Sequence, residues 1–226
     1  MRVNSPDCFH AIGFFYATGA IHQGATKGEI LMKTTRNKRL TTLVTLSMLG
    51  AISFVLMLFN FPLPFLPPFL KVDFSDIPAL VAGIVFSPLA GVVVVALKNV
   101  LYYVFNGGGV PVGELANFFA GVAFMYPVAW FYHKRKTNKA LASGLVAGTI
   151  TMALSLAILN YVLILPAYAF FFGMAEMADP AVKTNLVLYG ILPFNFIKAL
   201  LITALFVPLF IKLKPWIERQ RMQLQA

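Results

Sequence analysis

Long uncharged runs of apolar residues constrain the fold of this chain more than any other feature. The first run, residues 40–59, has no charged side chain, and about 20 residues is the length that an α-helix needs to cross the hydrocarbon core of a bilayer. Lipid cannot satisfy backbone polar groups, so a chain crosses it as helices or as a closed barrel. With 59% hydrophobic residues overall, the sequence predicts an all-α integral membrane protein.

The basic residues are confined to the ends of the apolar runs. Three clusters account for most of them: Lys33, Arg36, Lys38 and Arg39; Lys134, Arg135, Lys136 and Lys139; and Lys212, Lys214, Arg219 and Arg221. Basic residues concentrate in cytoplasmic loops, so this distribution predicts six transmembrane helices with both termini in the cytoplasm. The formal charge of +10 does not indicate nucleic-acid binding, because no polar domain is present to carry a basic face.

The six predicted helices follow from the apolar runs and from the residues that interrupt them. We expect them at about residues 40–59, 76–86, 89–106, 112–132, 140–165 and 185–211. Pro166 is expected to lie just past the end of the fifth helix, because proline cannot continue a regular helix. Residues 167–184 are expected to form an interfacial connection on the outer side.

A proline-rich segment at residues 60–78 follows the first predicted helix. Four prolines, Pro62, Pro64, Pro67 and Pro68, exclude helix here. The intervening residues are phenylalanine and leucine, which are too apolar for a loop in water. Irregular backbone at membrane depth is tolerated only where protein covers it or where it lines a cavity. The segment is therefore predicted to be a cap over a pocket.

Few strongly polar side chains lie within the predicted helices: Lys98, Asn99, Asn117, Asn160, Asn195 and Lys198. Polar residues inside a membrane are costly and usually face a cavity or one another. Because these residues lie at similar depths on four helices, we expect them to line one outward-facing pocket with Asp73, Asp76 and Glu114 at its mouth. Two alternatives stay open: each asparagine could instead bond a neighbouring helix, and Lys98 could pair with Asp73 or Asp76.

Catalytic and metal-binding motifs are not found in the sequence. The segment GAIHQGAT lacks the lysine of a phosphate-binding loop, there is no HExxH, and the histidines lie outside the apolar runs. Cys8 is the only cysteine, so no internal disulfide can form. These observations favour a binding protein over an enzyme, with no catalytic residue, metal or cofactor.

The sequence also supports predictions for the first helix and for the N-terminal residues 1–31. Ser47 and Ala51 on the first helix have the spacing that lets helices approach closely, which indicates either a docking face for a partner or ordinary internal packing. Residues 1–31 do not resemble the rest. They are expected to be a disordered extension or the product of a start codon placed too early, and residues 32–226 are expected to be the membrane domain.

Six stretches of the chain resemble a known family. They are LGAISFVLM, PLPFLPPFLKVDFSDIPAL, ALKN, ANFFAG, ILNYVLILPAY and ILPFNFIKAL. In this order they are similar to the riboflavin-specific substrate-binding (S) components of energy-coupling factor (ECF) transporters, bacterial membrane proteins of vitamin uptake. The resemblance runs from Met32 to the C-terminus.

The resemblance implies that the chain binds riboflavin outside the cell and works with a membrane scaffold subunit and two ATP-binding subunits. It also implies polar ligand contacts from Asn160, Asn195 and Lys198, and backbone contacts around Leu70. The family's coupling motif on its first helix is alanine-xxx-alanine, for which Ser47-xxx-Ala51 is the nearest match here. A different vitamin as ligand, or an intramembrane enzyme, is the alternative.

Overall fold

The computed structural model describes residues 27–106 and 109–225. Most of the expected N-terminal extension lies outside the described residues. The chain divides into two units, Met1–Leu43 and Val44–Ala226. Of the first unit, the structure describes only residues 27–43, which form the start of the first helix. All other elements belong to the second.

The described residues are mainly helical. Eight α-helices follow one another along the chain: α1 Lys27–Leu58, α2 Asp76–Val85, α3 Pro88–Phe105, α4 Val112–Arg135, α5 Asn138–Leu159, α6 Leu165–Phe172, α7 Pro180–Asn185 and α8 Leu192–Gln225. Two π-helical segments, Asn160–Ile164 and Leu186–Ile191, join α5 to α6 and α7 to α8. A 3₁₀ turn, Ala175–Ala178, separates α6 from α7.

Within the described residues, five helical stretches are long and apolar enough to cross a membrane. They are Arg39–Leu58, Pro88–Phe105, Val112–Arg135, Asn138–Phe172 and Pro180–Arg219. The all-α membrane class is thereby confirmed for the described chain. The remaining predicted span, α2, has 10 residues and is too short to cross the hydrocarbon core alone.

Helix α2 lies at the centre of the main hydrophobic core. Nine of its ten residues are buried, which fits its sequence, because a helix that is apolar on all sides must be covered on all sides. Side chains of α3, α4, α5 and α8 complete this core. Helices α4 and α5 pack closely because of Gly148, where an added Cβ would lie 2.5 Å from the Phe124 carbonyl oxygen.

The proline-rich segment folds back on itself, as a cap would. Phe61–Pro62 (β1) pairs antiparallel with Lys71–Val72 (β2), with Phe61 opposite Val72. We call residues 61–72 the cap. Leu70 and Val72 pack with Leu165 and three residues from the start of the last membrane-spanning stretch in a second, smaller hydrophobic cluster. The cap is therefore attached to the ends of α6 and α8.

The prediction that the fifth helix ends before Pro166 was wrong. Helical structure continues through Pro166 to Phe172, so part of the expected connection is helix. The π-helical turn Asn160–Ile164 immediately precedes the proline. In such a turn each backbone N–H donates to the carbonyl oxygen five residues back. The wider turn therefore tolerates both the missing N–H of proline and the clash that the proline ring makes with the preceding turn of a regular helix. Helix α8 likewise extends beyond the expected end at residue 211.

Candidate ligand-binding site

A cavity lies beneath the cap. Its walls come from the cap, the start of α4, the end of α5 with the π-helical turn that follows it, α6 and the start of α8. The side chains and glycine at its surface are Phe69, Leu70, Lys71, Gly113, Ala116, Asn117, Ala120, Leu156, Asn160, Ile164, Tyr168, Phe194, Asn195 and Lys198. The mixture of apolar wall with a few polar groups is typical of a small-molecule site.

Five of the six predicted ligand-binding residues line this one cavity: Leu70, Asn117, Asn160, Asn195 and Lys198. Four separate elements contribute them, so the expected convergence of intramembrane polar groups is present. All but Asn117 are buried. A polar ligand would give these groups the partners that lipid and apolar side chains cannot provide.

Asn160 and Asn195 make the same kind of hydrogen bond to their own helices. Each donates from Nδ2 to the carbonyl oxygen four residues back, Leu156 and Ile191 respectively, at 2.8 Å. Each Oδ1 atom lacks a partner among the described residues. Each asparagine therefore retains an acceptor oxygen and one N–H for a ligand.

Both asparagines lie next to a π-helical segment. Asn160 begins the first segment, and Asn195 follows the second by one helical turn. A π-helical turn inserts one extra residue and rotates the following side chains relative to a regular helix. Such segments occur frequently at functional sites. Here the second segment precedes Asn195 and therefore affects the direction of its amide, whereas Asn160 begins the first segment.

Lys198 is held on the cavity wall by two polar contacts. Its Nζ donates to Asn117 Oδ1 at 2.9 Å and to Asp73 Oδ2 at 3.1 Å. Asn117 in turn donates to Asn99 Oδ1 at 3.3 Å. An ammonium group has three N–H donors, so one donor of Lys198 is left for a ligand or for Asp76, whose Oδ2 is 3.9 Å away.

Lys98, the sixth predicted residue, does not line the cavity. Its side chain is fully buried behind the wall, where Nζ bonds Asp76 Oδ1 at 2.5 Å and also Ser75 Oγ. This is the ion pair that the sequence left open as the alternative. Gly121 of α4 makes room for it, because an added Cβ there would lie 2.8 Å from Asp76 Oδ1.

Asp73 and Asp76, expected at the mouth of the pocket, do not form an exposed rim, although Asp73 lines the second cavity described below. Both are buried, with relative exposures of 3% and 0%, because each meets an intramembrane lysine. Burial raises the pKa of the Asp73 carboxyl, but the ammonium groups of Lys198 and Lys98 and a hydrogen bond from Ser75 outweigh burial, and the net pKa lies well below its usual value. We call Asp73, Asp76, Lys98 and Lys198 the charge cluster.

A second cavity adjoins the first. The two share Phe69, Lys71, Gly113, Asn117 and Tyr168 as lining residues. Glu114, the third residue expected at the mouth, lines this second cavity and is partly exposed. The described site is therefore a pair of adjacent cavities with a common wall.

Several wall residues were missed from sequence. Tyr168 and Phe194 line the first cavity, and the Tyr168 ring lies 5.7 Å from that of Phe69 in the cap. Tyr168 was overlooked because Pro166 was expected to end the helix. Nothing in the sequence distinguishes Phe194 from the many phenylalanines that face lipid.

Ser47 and Ala51, the predicted docking residues, lie on the exposed face of α1. Large apolar side chains flank them on this face, including Met48 and Ile52. Neither Ser47 nor Ala51 is packed inside the described protein. Their exposed position is compatible with docking of a partner. The small-residue pair does not mediate helix packing within the described bundle.

Comparisons with known proteins all point to one family of membrane transporters. The family "ECF transporter, substrate-specific component" matches residues 41–210. The riboflavin transporter FmnP of Bacillus subtilis (strain 168) is 54% identical over 181 residues, which is 79% of this chain and 95% of that protein. The riboflavin transporter RibU of Staphylococcus aureus (strain TCH60) is 42% identical over 184 residues, with 81% and 94% covered.

A solved structure is also similar to this chain. It is described as the S component of a bacterial ECF transporter, and it matches with a TM-score of 0.69 at 41% sequence identity. The match covers 79% of this chain and 98% of that one. The resemblance read from six sequence stretches is thereby confirmed, and the family and its named relatives are transporters and not enzymes.

Proposed function

Because the chain belongs to the family of ECF transporter substrate-specific components, we propose that it is the riboflavin-binding membrane subunit of an ECF-type transporter. It binds the vitamin and mediates its uptake, and separate subunits supply the energy. The observation that carries this proposal is the convergence of Asn160, Asn195 and Lys198 on one cavity in a chain similar to named riboflavin transporters over nearly their whole length.

The cavity suits the chemistry of a flavin. Riboflavin has a flat, largely apolar ring system with one imide edge and a hydroxylated chain. Phe69, Tyr168 and Phe194 supply apolar surface for the ring. One of the two free Oδ1 atoms of Asn160 and Asn195 accepts from the single imide N–H. The remaining N–H groups of these asparagines and the third donor of Lys198 bind the imide carbonyl oxygens.

The other predicted residues take supporting places in this proposal. Leu70, buried at the cap end of the cavity, contacts the ligand through its backbone. Asn117 contacts the ligand from α4 and also holds Lys198 in position by accepting a hydrogen bond from it. Lys98 acts from behind the wall through Asp76, without direct contact with the ligand.

The proposal includes a membrane topology. Six membrane segments, with both termini in the cytoplasm of a bacterial plasma membrane, place the three basic clusters inside and Lys71 and Lys183 outside. In this arrangement α2 spans only part of the membrane and is covered by the other helices. The cavity then opens to the outside, beneath the cap.

The partners are a membrane scaffold subunit and two ATP-binding subunits. The face of α1 around Ser47 and Ala51 is the docking surface for the scaffold, since two small side chains let another helix approach closely. The membrane domain of residues 32–226 is sufficient for insertion and uptake, and residues 1–31 are dispensable. A truncated chain that starts at Met32 and fails to insert or to support uptake would contradict this last point.

A direct test is to purify the protein from cells grown with riboflavin. The preparation should be yellow with a flavin absorption spectrum, and after the ligand is removed, titration should quench riboflavin fluorescence with one site per chain. Thiamine and biotin serve as competitors of similar polarity but different ring chemistry. A colourless protein that does not quench flavin fluorescence would refute the proposal, and displacement by another vitamin would favour the alternative ligand.

A further inference from the structure

Two of the basic clusters meet at the end of the bundle away from the cavities. Lys214 of α8 donates from Nζ to the Oδ1 atom of Asn138, the first residue of α5, at 3.2 Å. Deeper in the bundle, the rings of Tyr132 and Phe210 are in edge contact, with their centroids 5.5 Å apart. The end of α8 therefore packs against the turn between α4 and α5.

We call residues 134–139 and 212–219 the basic surface. Its charged side chains are exposed, except that of Lys214, which is partly buried. Seven of them are basic and one is acidic: Lys134, Arg135, Lys136, Lys139, Lys212, Lys214, Arg219 and Glu218. Among the described residues, every ion pair belongs to the charge cluster. The positive charge of the basic surface is therefore not balanced by carboxylates of the described chain.

Both tryptophans of the chain lie at or beside the basic surface. Trp130 is 46% exposed and Trp216 is 39% exposed, and the Lys134 Nζ atom lies 4.9 Å from the centre of the Trp130 ring. Tryptophan is enriched at membrane–water interfaces, where its ring sits at the level of the lipid headgroups. These two side chains therefore place the basic surface at headgroup depth.

Lys136 occupies a backbone position that favours glycine. It follows the last residue of α4 with a φ of 52°, and its backbone N–H donates to the Tyr132 carbonyl oxygen at 2.8 Å. Helices often end in this left-handed conformation, usually with glycine, because a Cβ adds strain there. The tendency of basic residues to lie on one side of a membrane requires neither a lysine at this position nor contact between two clusters.

We propose that the basic surface binds the phosphate group of an anionic phospholipid, with Lys136 and Lys214 as its main contacts. Lys214 uses one of its three N–H donors for Asn138 and keeps two for a phosphate. Basic pockets between membrane helices are known binding sites for anionic headgroups. Leu209 and Ile211 of α8 are exposed next to the basic surface and supply apolar contact for the acyl chains, which a soluble anion lacks.

This inference goes beyond the proposed function, because it does not depend on what the cavities bind. The topology proposed above places the bound lipid in the cytoplasmic leaflet. The lipid contact itself requires only that the chain lies in a membrane with the tryptophans at the interface.

Intrinsic fluorescence tests the proposal, because the two tryptophans of the chain lie at or beside the basic surface. The protein is reconstituted in phosphatidylcholine vesicles with increasing fractions of phosphatidylglycerol or phosphatidylcholine whose brominated acyl chains quench nearby tryptophans. At low salt, phosphatidylglycerol should bind at least about fivefold more tightly than phosphatidylcholine, which is the effect of one basic residue near a charged lipid surface. This preference should fall below about twofold in 1 M sodium chloride, because salt screens exposed charges.

Lys136→Gly and Lys214→Gln should each lower the preference for phosphatidylglycerol by about threefold. Lys136→Gly should leave Tm in detergent unchanged or raise it, because glycine adopts a φ of 52° without strain. A loss of lipid preference in this variant would then not reflect a damaged fold. Lys183→Gln is the matched control, since Lys183 lies over the Tyr161 ring outside the basic surface, and it should leave the preference unchanged.

Equal quenching by the two lipids at low salt would overturn the inference, even where a variant fails to fold. A preference that neither Lys136→Gly nor Lys214→Gln lowers, or that Lys183→Gln lowers as much, would also overturn it. Displacement of the lipid by inorganic phosphate beyond the effect of sodium chloride at equal ionic strength would assign the surface to a soluble anion instead. Failure to bind riboflavin, by contrast, would refute the proposed function and leave this inference standing.

Discussion

Replacing Lys98 by methionine tests whether this lysine supports the fold or contacts the ligand. The Lys98 and Asp76 side chains are both fully buried and joined at 2.5 Å. Methionine has a similar shape but no charge, so Lys98→Met leaves the Asp76 carboxylate without its main partner. Removing one member of a buried ion pair costs about 3–5 kcal/mol, equivalent to a fall of roughly 6–20 °C in Tm for a protein of this size.

The double variant Lys98→Met/Asp76→Asn provides the decisive comparison. It removes both charges together, and the remaining pair of Asp73 and Lys198 is still balanced. We expect it to recover most of the stability lost in Lys98→Met, because replacing a buried pair by neutral groups costs far less than breaking it. Lys139→Met, at an exposed position, is the control for the loss of a lysine and should shift Tm little.

The assay has two readouts, thermal unfolding in detergent and riboflavin binding by fluorescence quenching. Because Lys98 does not line the cavity, and Asp73 and Asn117 still hold Lys198, the double variant should keep its affinity within about threefold. Two results would refute this reasoning. One is a Lys98→Met variant as stable as the original protein. The other is a double variant that is stable but no longer binds riboflavin, which would make Lys98 a ligand contact.

Three other predictions concern the cavity, the docking face and pH. Asn195→Ala should weaken riboflavin binding by about 1–3 kcal/mol by leaving ligand groups unpaired, whereas Asn185→Ala on the exposed α7 should not, and titrations that give equal values would remove Asn195 from the site. Ala51→Phe should abolish cellular uptake while affinity is retained, and parallel loss of both would place Ala51 in the fold. The pKa of Asp73 is depressed in the folded protein, so its contribution to stability is complete above its ordinary pKa of 3.8 and is lost as the pH falls towards the folded value. Thermal unfolding should therefore show Asp73→Asn lowering Tm at neutral pH and losing this effect below about pH 4, while a difference independent of pH would contradict the assignment.

Much of the architecture follows from simple patterns in the sequence. Uncharged apolar runs with basic ends predict the membrane helices, and the prolines of the cap exclude helix where the structure has a β-ribbon. Asn195 and Lys198 are three residues apart and share a helix face, so their presence on one wall is predictable. Asn117 and Asn160 are predictable from depth, because unpaired polar groups in a membrane gather where they can find partners.

Other features depend on packing that no local pattern records. Pro166 normally signals a helix end, but the preceding π-helical turn accommodates it. Lys98 and Lys198 are both intramembrane lysines, and only the rotation of each helix in the bundle decides which one reaches the cavity. Asp73 and Asp76 were expected at the mouth of the pocket, with an ion pair to Lys98 as the alternative. Their burial depends on two lysines that lie more than 20 positions away along the chain.

The charge cluster has a consequence for the energetics of transport. In their ordinary ionisation states its two aspartates and two lysines sum to zero. Moving one net elementary charge across a membrane potential of 100 mV involves about 2.3 kcal/mol of work, whereas moving this cluster as a unit involves none. A neutral vitamin held beside it adds no charge either. The membrane voltage therefore does no net work on this cluster if the part of the protein that carries it moves across the membrane.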